Sequence, residues 1–244
     1  MTEATSALDV SLPALWAVMT VETKGCGFLP DRRPLILFER HVFRRITKGR
    51  FDGEAADLSN PAPGGYGAAG AYQYDRLDRA LKLDRTAALQ SCSWGLGQVM
   101  GFNYPKVGFG EVEAMVTAML DSEDNQLQAM VGFVKSFQLA RFLANSDWTS
   151  FALHYNGPDF QKNRYDWKLS QAYARYVAGP LPSLRVRAAQ LYLTYLGLAP
   201  GGVDGWFGQR TQRATIAFQK RQGLPQTGAL TNETFVSLET AALG

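Results

Sequence analysis

The chain has 244 residues, with 25 basic and 22 acidic side chains for a formal net charge of +3, and 46% of its residues are hydrophobic against 19% charged. This is ordinary globular usage, which excludes collagen-like, coiled-coil and disordered chains, and the length suits one large domain or a large one followed by a small one. Two cysteines, Cys26 and Cys92, and two histidines, His41 and His154, are too few for a disulfide framework or a zinc cluster, so no metal and no cofactor is expected.

In chain order, residues 12–21 are nearly apolar but are interrupted by Pro13 and Thr20 and have no basic segment ahead of them. Neither a signal peptide nor a spanning helix is expected there. Ser11 can instead cap a helix with Pro13 in its first turn, Leu12, Leu15, Trp16 and Met19 on one stripe, and a stop at Gly25. A second helix is expected over residues 34–48, with Leu35, Phe38, Val42 and Ile46 inward, and residues 58–70, rich in Pro, Gly and Ala, read as a long surface loop. Further helices are expected at 72–81, 111–121, 126–142, 148–154 and 165–176, and a short hairpin at 94–100. The fold class that follows is mainly α.

Ala178-Gly179-Pro180-Leu181-Pro182-Ser183 reads as a short, semi-rigid linker, dividing the chain into residues 1–178, a linker at 179–183 and residues 184–244. The last segment contains a degenerate repeat: Gln190, Gly197-Leu198, Asp204-Gly205 and Thr211 are echoed by Gln219, Gly223-Leu224, Thr227-Gly228 and Thr234. It also holds six basic residues against three acidic ones, so the whole positive excess lies there. That favours an anionic partner but is too weak to indicate nucleic acid.

Glu22 extends the apolar stripe of the first long helix, three residues beyond Met19. A carboxylate there is partly desolvated, which raises its pKa toward what a general acid needs; the alternative is an ordinary glutamate at a helix end beside Lys24. Glu39 lies among inward positions of the second expected helix and within a basic run, so it is either a second acid for glycoside chemistry or a salt-bridged helix carboxylate. Ser93-Trp94-Gly95-Leu96-Gly97-Gln98 forms a glycine turn through which backbone can approach a ligand, and Tyr155-Asn156-Gly157-Pro158 ends a helix with two polar side chains. The cysteines have no nucleophile-elbow context and read as reduced thiols.

Together these stretches are more specific. Val21-Glu22-Thr23-Lys24-Gly25, Gly95-Leu96-Gly97-Gln98 and Tyr155-Asn156-Gly157, in that order, resemble the signatures of the goose-type lysozyme and lytic transglycosylase superfamily. Over residues 10–178, Arg33-Pro34-Leu35-Ile36-Leu37-Phe38-Glu39-Arg40-His41, Tyr74-Asp75-Arg76-Leu77 and Ser93 to Gly101 resemble the N-acetylmuramidase domain of phage endolysins. Asp204-Gly205-Trp206-Phe207-Gly208, Thr211 and Phe218-Gln219 are similar to the small three-helix peptidoglycan-binding domain.

The resemblance implies a lysozyme-like fold in which Glu22 is the general acid, Glu39 a second catalytic carboxylate, and Gln98, Tyr155, Asn156 and Ser93 bind substrate. It implies wall binding by Asp204, Trp206, Phe207 and Gln219, with bacterial peptidoglycan as the partner. The expected protein is a monomeric endolysin that lyses its host. It would wait in the host cytoplasm for holin-mediated release to the periplasm and cell wall, its binding module tethering the cleft to an insoluble polymer. A lytic transglycosylase giving 1,6-anhydro products, and a non-catalytic wall-binding or virion structural protein, are the alternatives. Cys26-Gly27 after the first signature, the tight Tyr-Asn-Gly stretch and the C-terminal position of the wall module depart from the family pattern.

Overall fold

A computed structural model describes residues 1–23 and 26–244, Thr23 by its backbone alone; Lys24 and Gly25, where the first long helix was expected to stop, lie outside the described residues. The chain is mainly helical with one small antiparallel sheet. Helices α1 (Thr2–Leu8) and α2 (Leu12–Thr23) are followed by strand β1 (Ile36–Phe38) and α3 (Arg40–Thr47). A long loop leads to α4 (Tyr72–Leu83), α5 (Arg85–Gln90) and the hairpin β2 (Cys92–Trp94) and β3 (Val99–Met100). Then come α6 (Val112–Asp121), α7 (Glu123–Ser136), α8 (Ala140–Ala144), α9 (Trp148–Asn156) and α10 (Tyr165–Ala178), and finally α11 (Leu184–Tyr195), α12 (Gln209–Arg221) and α13 (Asn232–Leu243).

Helix starts follow local chemistry. Ser11, Asp84, Ser122, Asp147, Ser183 and Thr231 each accept a backbone N–H from the first turn of the helix they precede, satisfying donors that have no partner within the helix. Helix α2 is apolar on more than the one expected stripe: Leu15, Trp16, Ala17, Val18 and Met19 are each at most 4% exposed. Full burial of such a Leu or Met side chain is worth roughly 1.5–3 kcal/mol, so packing against α10 and its neighbours fixes this helix as the central rod of the first 178 residues. Among the described residues no single helix is long and apolar enough to cross a membrane; α1 and α2 together would reach that length only as a pair bent by 103°.

Two expectations need correction. Residues 36–38 are a strand, not the start of a helix, and pair with β2 in the register Ile36↔Trp94, Leu37↔Ser93 and Phe38↔Cys92. A four-residue apolar run fits a buried strand as well as a helix turn, and here the backbone of β2 supplies its hydrogen bonds. Glu39 is therefore at the N-cap of α3 rather than inside a helix. The helix expected over 126–142 begins earlier, at Glu123, and ends at Ser136, where Gln138 turns into the left-handed region and lets Leu139 reach the core at 2% exposure. The loop over residues 58–70 contains no helix or strand, as its composition indicates.

In the C-terminal segment the sequence repeat has a structural meaning. Gln190 Nε2 donates to Asp204 Oδ1, Trp206 O and Thr211 Oγ1, while its Oε1 accepts from the N–H groups of Asp204 and Gly205. Gln219 repeats the device, donating to Thr227 Oγ1, Ala229 O and Thr234 Oγ1 and accepting from Gly228 N–H. Each buried amide closes one Gly-containing loop. The unit packs on the first 178 residues: Trp206 joins their core with Arg175 5.1 Å over its ring, and Arg187 pairs with Glu123. It is docked on them through these contacts.

Candidate active site

The burial of α2 carries Glu22, in its last turn, to the end of α9. There Asn156 Nδ2 donates to both carboxylate oxygens, at 3.0 and 3.1 Å. Burial raises the Glu22 pKa from 4.5 to about 7; the Asn156 bonds and the Lys168 charge pull the other way and are outweighed. Glu22 keeps some accessible surface, as a donor to an external substrate must.

The glycine turn is locked onto the same helix end. Tyr155 donates to Gly97 O at 2.7 Å, and its ring packs on Phe133 and Phe151. A Cβ at Gly97 would lie 2.7 Å from Met130 Cβ, so only glycine allows this approach. Burial, then the neighbouring Glu22 charge, push the Tyr155 pKa well up, which keeps its hydroxyl protonated. Gln98, at φ 46, uses its side chain to fasten the turn: Nε2 donates to Gly95 O and Leu35 O, and Oε1 accepts from Ser93 Oγ at 2.8 Å. A hollow of about 60 Å³ opens between Gly97, Gln98, Phe133 and Tyr155.

Glu22, Asn156, Tyr155, Gly97, Gln98 and Ser93 thus form one connected group. Among the described residues, none of the bonds of Glu39 reaches it. Glu39 accepts from Tyr66 O–H at 3.0 Å, and its Oε2 faces His41 Nδ1 at 3.1 Å, close enough for an ion pair but with an angle that makes no hydrogen bond. Tyr66 belongs to the 58–70 loop, which Arg40 also holds through Ala62 O and Pro63 O. Cys26 and Cys92 are free thiols, both raised in pKa chiefly by burial. Among the described residues no group of three His, Cys, Asp or Glu could hold a metal ion.

Sequence reasoning missed Lys168 and Tyr165, both close enough to interact with Glu22 electrostatically. Their three-residue spacing at the start of α10 was the available signal. In the C-terminal unit, Gln219 is 1% exposed with its amide fully engaged, and Asp204 is engaged with Gln190 and Trp206 N–H. Gln219 shapes its loop from the inside; Asp204 is exposed and makes both of these bonds through Oδ1. Trp206 faces the first core, and Phe207 is 40% exposed. A hollow of about 330 Å³ lined by Gly201, Gly202, Asp204, Trp206 and Arg210 opens beside them. A hollow of about 600 Å³, lined by Phe28, Glu123, Arg187 and Tyr195 among others and by none of the Glu22 group, lies between the two halves of the chain.

Residues 11–177 match the family model described as N-acetylmuramidase, and residues 183–238 match a putative peptidoglycan binding domain. Among solved structures, the crystal structure of the Burkholderia AP3 phage endolysin is 41% identical with a TM-score of 0.67, over 72% of this chain and 68% of that one. No curated protein matches the chain. With the first match spanning most of the chain and the Glu22 group inside it, the chain belongs to the N-acetylmuramidase family of peptidoglycan-degrading glycoside hydrolases and carries a C-terminal peptidoglycan-binding domain.

Proposed function

We propose that the protein is an endolysin that hydrolyses the β-1,4 bond between N-acetylmuramic acid and N-acetylglucosamine, with Glu22 as the proton donor. The observation that carries this is a carboxyl held near pKa 7 by burial and clasped by Asn156 Nδ2. Protonated, Glu22 gives its proton to the glycosidic oxygen as the bond from that oxygen to the muramic acid C1 breaks. Ionised, it is supported by the two Asn156 bonds and by Lys168. Water supplies the new hydroxyl on C1, and its remaining proton regenerates the acid.

Tyr155, Gln98 and Ser93 act on the sugar chiefly by holding the glycine turn whose backbone lines the cleft. Glu39 is the candidate second carboxylate, but its bonds to the 58–70 loop favour a loop-holding role. Wall contact falls to the exposed Phe207 and the hollow beside Trp206 and Arg210. The cellular setting proposed is that of a phage endolysin: a monomer released to the wall by a holin.

Digestion of purified sacculi tests the assignment. Glu22→Gln, folded by circular dichroism, is expected to lose at least ~10²-fold in turnover, the scale of general-acid catalysis. Glu39→Gln is expected to lose less than about a tenth of that factor. Wild-type rates from Glu22→Gln remove Glu22 as the acid, and an equal loss from both variants makes Glu39 its catalytic partner.

A further inference from the structure

We propose that Arg187, in the peptidoglycan-binding domain, is a positioning residue for Glu22: through Glu123 it holds Gly27. This rests on the reading of Glu22 as the acid. Arg187 is 5% exposed and donates to both oxygens of Glu123, at 2.7 and 2.9 Å. Glu123 Oε1 in turn accepts the backbone N–H of Gly27 at 2.7 Å, five residues beyond Glu22. Glu123 opens α7, where a carboxylate is favoured by the helix dipole.

One turn along the same helix, Gln126 Oε1 accepts Leu96 N–H at 2.8 Å while its Nε2 donates to Met119 O. A Cβ at Gly27 would fall 1.8 Å from Gln126 Oε1 and 2.7 Å from Leu96 N, so the three segments are in close contact. The first turn of α7 therefore clamps together Gly27 and the turn that carries Gly97 and Gln98, and the outer side of that clamp is closed by Arg187. Without the guanidinium, Glu123 would be a half-buried carboxylate that has lost its charged partner, held among the described residues by Gly27 N–H and the Cys26 thiol. It would then take up a proton or swing toward solvent, and either change loosens Gly27.

A second contact keeps the two domains in register. The Arg32 guanidinium, from the loop following Gly27, donates to Ala242 O and lies 5.6 Å over the Tyr195 ring. A module whose only task is to tether the enzyme needs no buried ion pair into the catalytic half, whereas one that supports the cleft does.

The test uses the full chain and soluble, uncrosslinked glycan fragments, on which wall tethering gives no advantage. Displacing a catalytic group by about an ångström costs up to ~10²-fold. Arg187→Met is therefore expected to lower kcat roughly 10-fold or more, with little change in KM and a shifted alkaline limb of the pH profile. Sedimentation with sacculi should stay at the wild-type level, because Arg187 does not line the hollow beside Phe207. Arg187→Lys, keeping the charge without the second nitrogen that donates to Val203 O, should recover part of kcat, and Glu123→Gln should shift the same pH limb. If Arg187→Met fails to fold, the last two variants decide. Wild-type kcat and pH profile in the folded variants overturn the inference. Glu22→Gln assayed in parallel separates the two claims: its inactivity beside fully active Arg187 variants sinks only the positioning role, and its full activity sinks the reading of Glu22 itself.

Discussion

Glu22 is held in a balance whose sign can be checked through stability as well as rate. Its folded pKa, about 7, is above the ordinary 4.5, so the folded state binds this proton more tightly than the unfolded chain does. Stability linked to this group is fully present below pH 4.5 and is lost as pH rises through about 7, by up to about 3 kcal/mol at 1.36 kcal/mol per unit. Glu22→Gln, neutral at every pH, should therefore melt higher than wild type at pH 8 and alike near pH 4.5, as read by calorimetry across that range. A difference independent of pH would mean that the carboxyl is not desolvated. In the sequence Glu22 was legible as an acid on an apolar face, but not its balance: Asn156 and Lys168, which oppose burial, come from helices more than 130 positions away. Glu39 was placed inside a helix for the converse reason, since its spacing concealed a strand that leaves it at the N-cap of α3, toward Tyr66 and His41.

At the scale of elements, what local chemistry determines was readable and what tertiary pairing determines was not. Ser11 and Pro13 mark the start of α2, and the glycine turn marks the hairpin. The short helix α5 was overlooked although Asp84 caps it, because six residues offer too little periodicity to register. Strand β1 is set apart from a helix turn only by its partner, which lies far along the chain at Cys92–Trp94. The repeat in the C-terminal unit was legible as similar letters, and its purpose becomes clear only in three dimensions, where Gln190 and Gln219 each close a loop. Gln219→Ala would leave the buried Gly228 N–H without its partner, at about 1–3 kcal/mol, and remove a bond from the Thr234 hydroxyl, which still accepts from Thr231 Oγ1. Thr227→Ala, removing an exposed hydroxyl that accepts from Gln219 Nε2 and Ala229 N–H, should cost about 1 kcal/mol. Urea unfolding followed by circular dichroism ranks the two; equal costs would show that Gln219 is not the hub.

Across the whole molecule, a helical catalytic half and a small wall-binding half meet over Trp206 with Arg175, Arg187 with Glu123, and Arg32 with the last helix. The linker composition announced two units, and the positive excess beyond Leu184 suited an anionic wall. Neither feature indicated docking, because an interface formed by single residues scattered along the chain leaves no local pattern. The joint arrangement holds the wall-binding surface and the Glu22 cleft in a fixed relation, so that a bound strand and a cleaved strand belong to one engagement with the polymer.

The central claim, that this cleft hydrolyses the glycan with Glu22 as donor, is tested most directly by the chemistry of its products. Purified sacculi digested by the full chain in water enriched in heavy oxygen should release muropeptides ending in reducing N-acetylmuramic acid. Mass spectrometry should find the label on the C1 hydroxyl, with no release by Glu22→Gln. Unlabelled 1,6-anhydro ends would contradict the account by showing that the muramic acid C6 hydroxyl, not water, attacks C1, and the absence of soluble fragments would show that the chain binds the wall without cutting it.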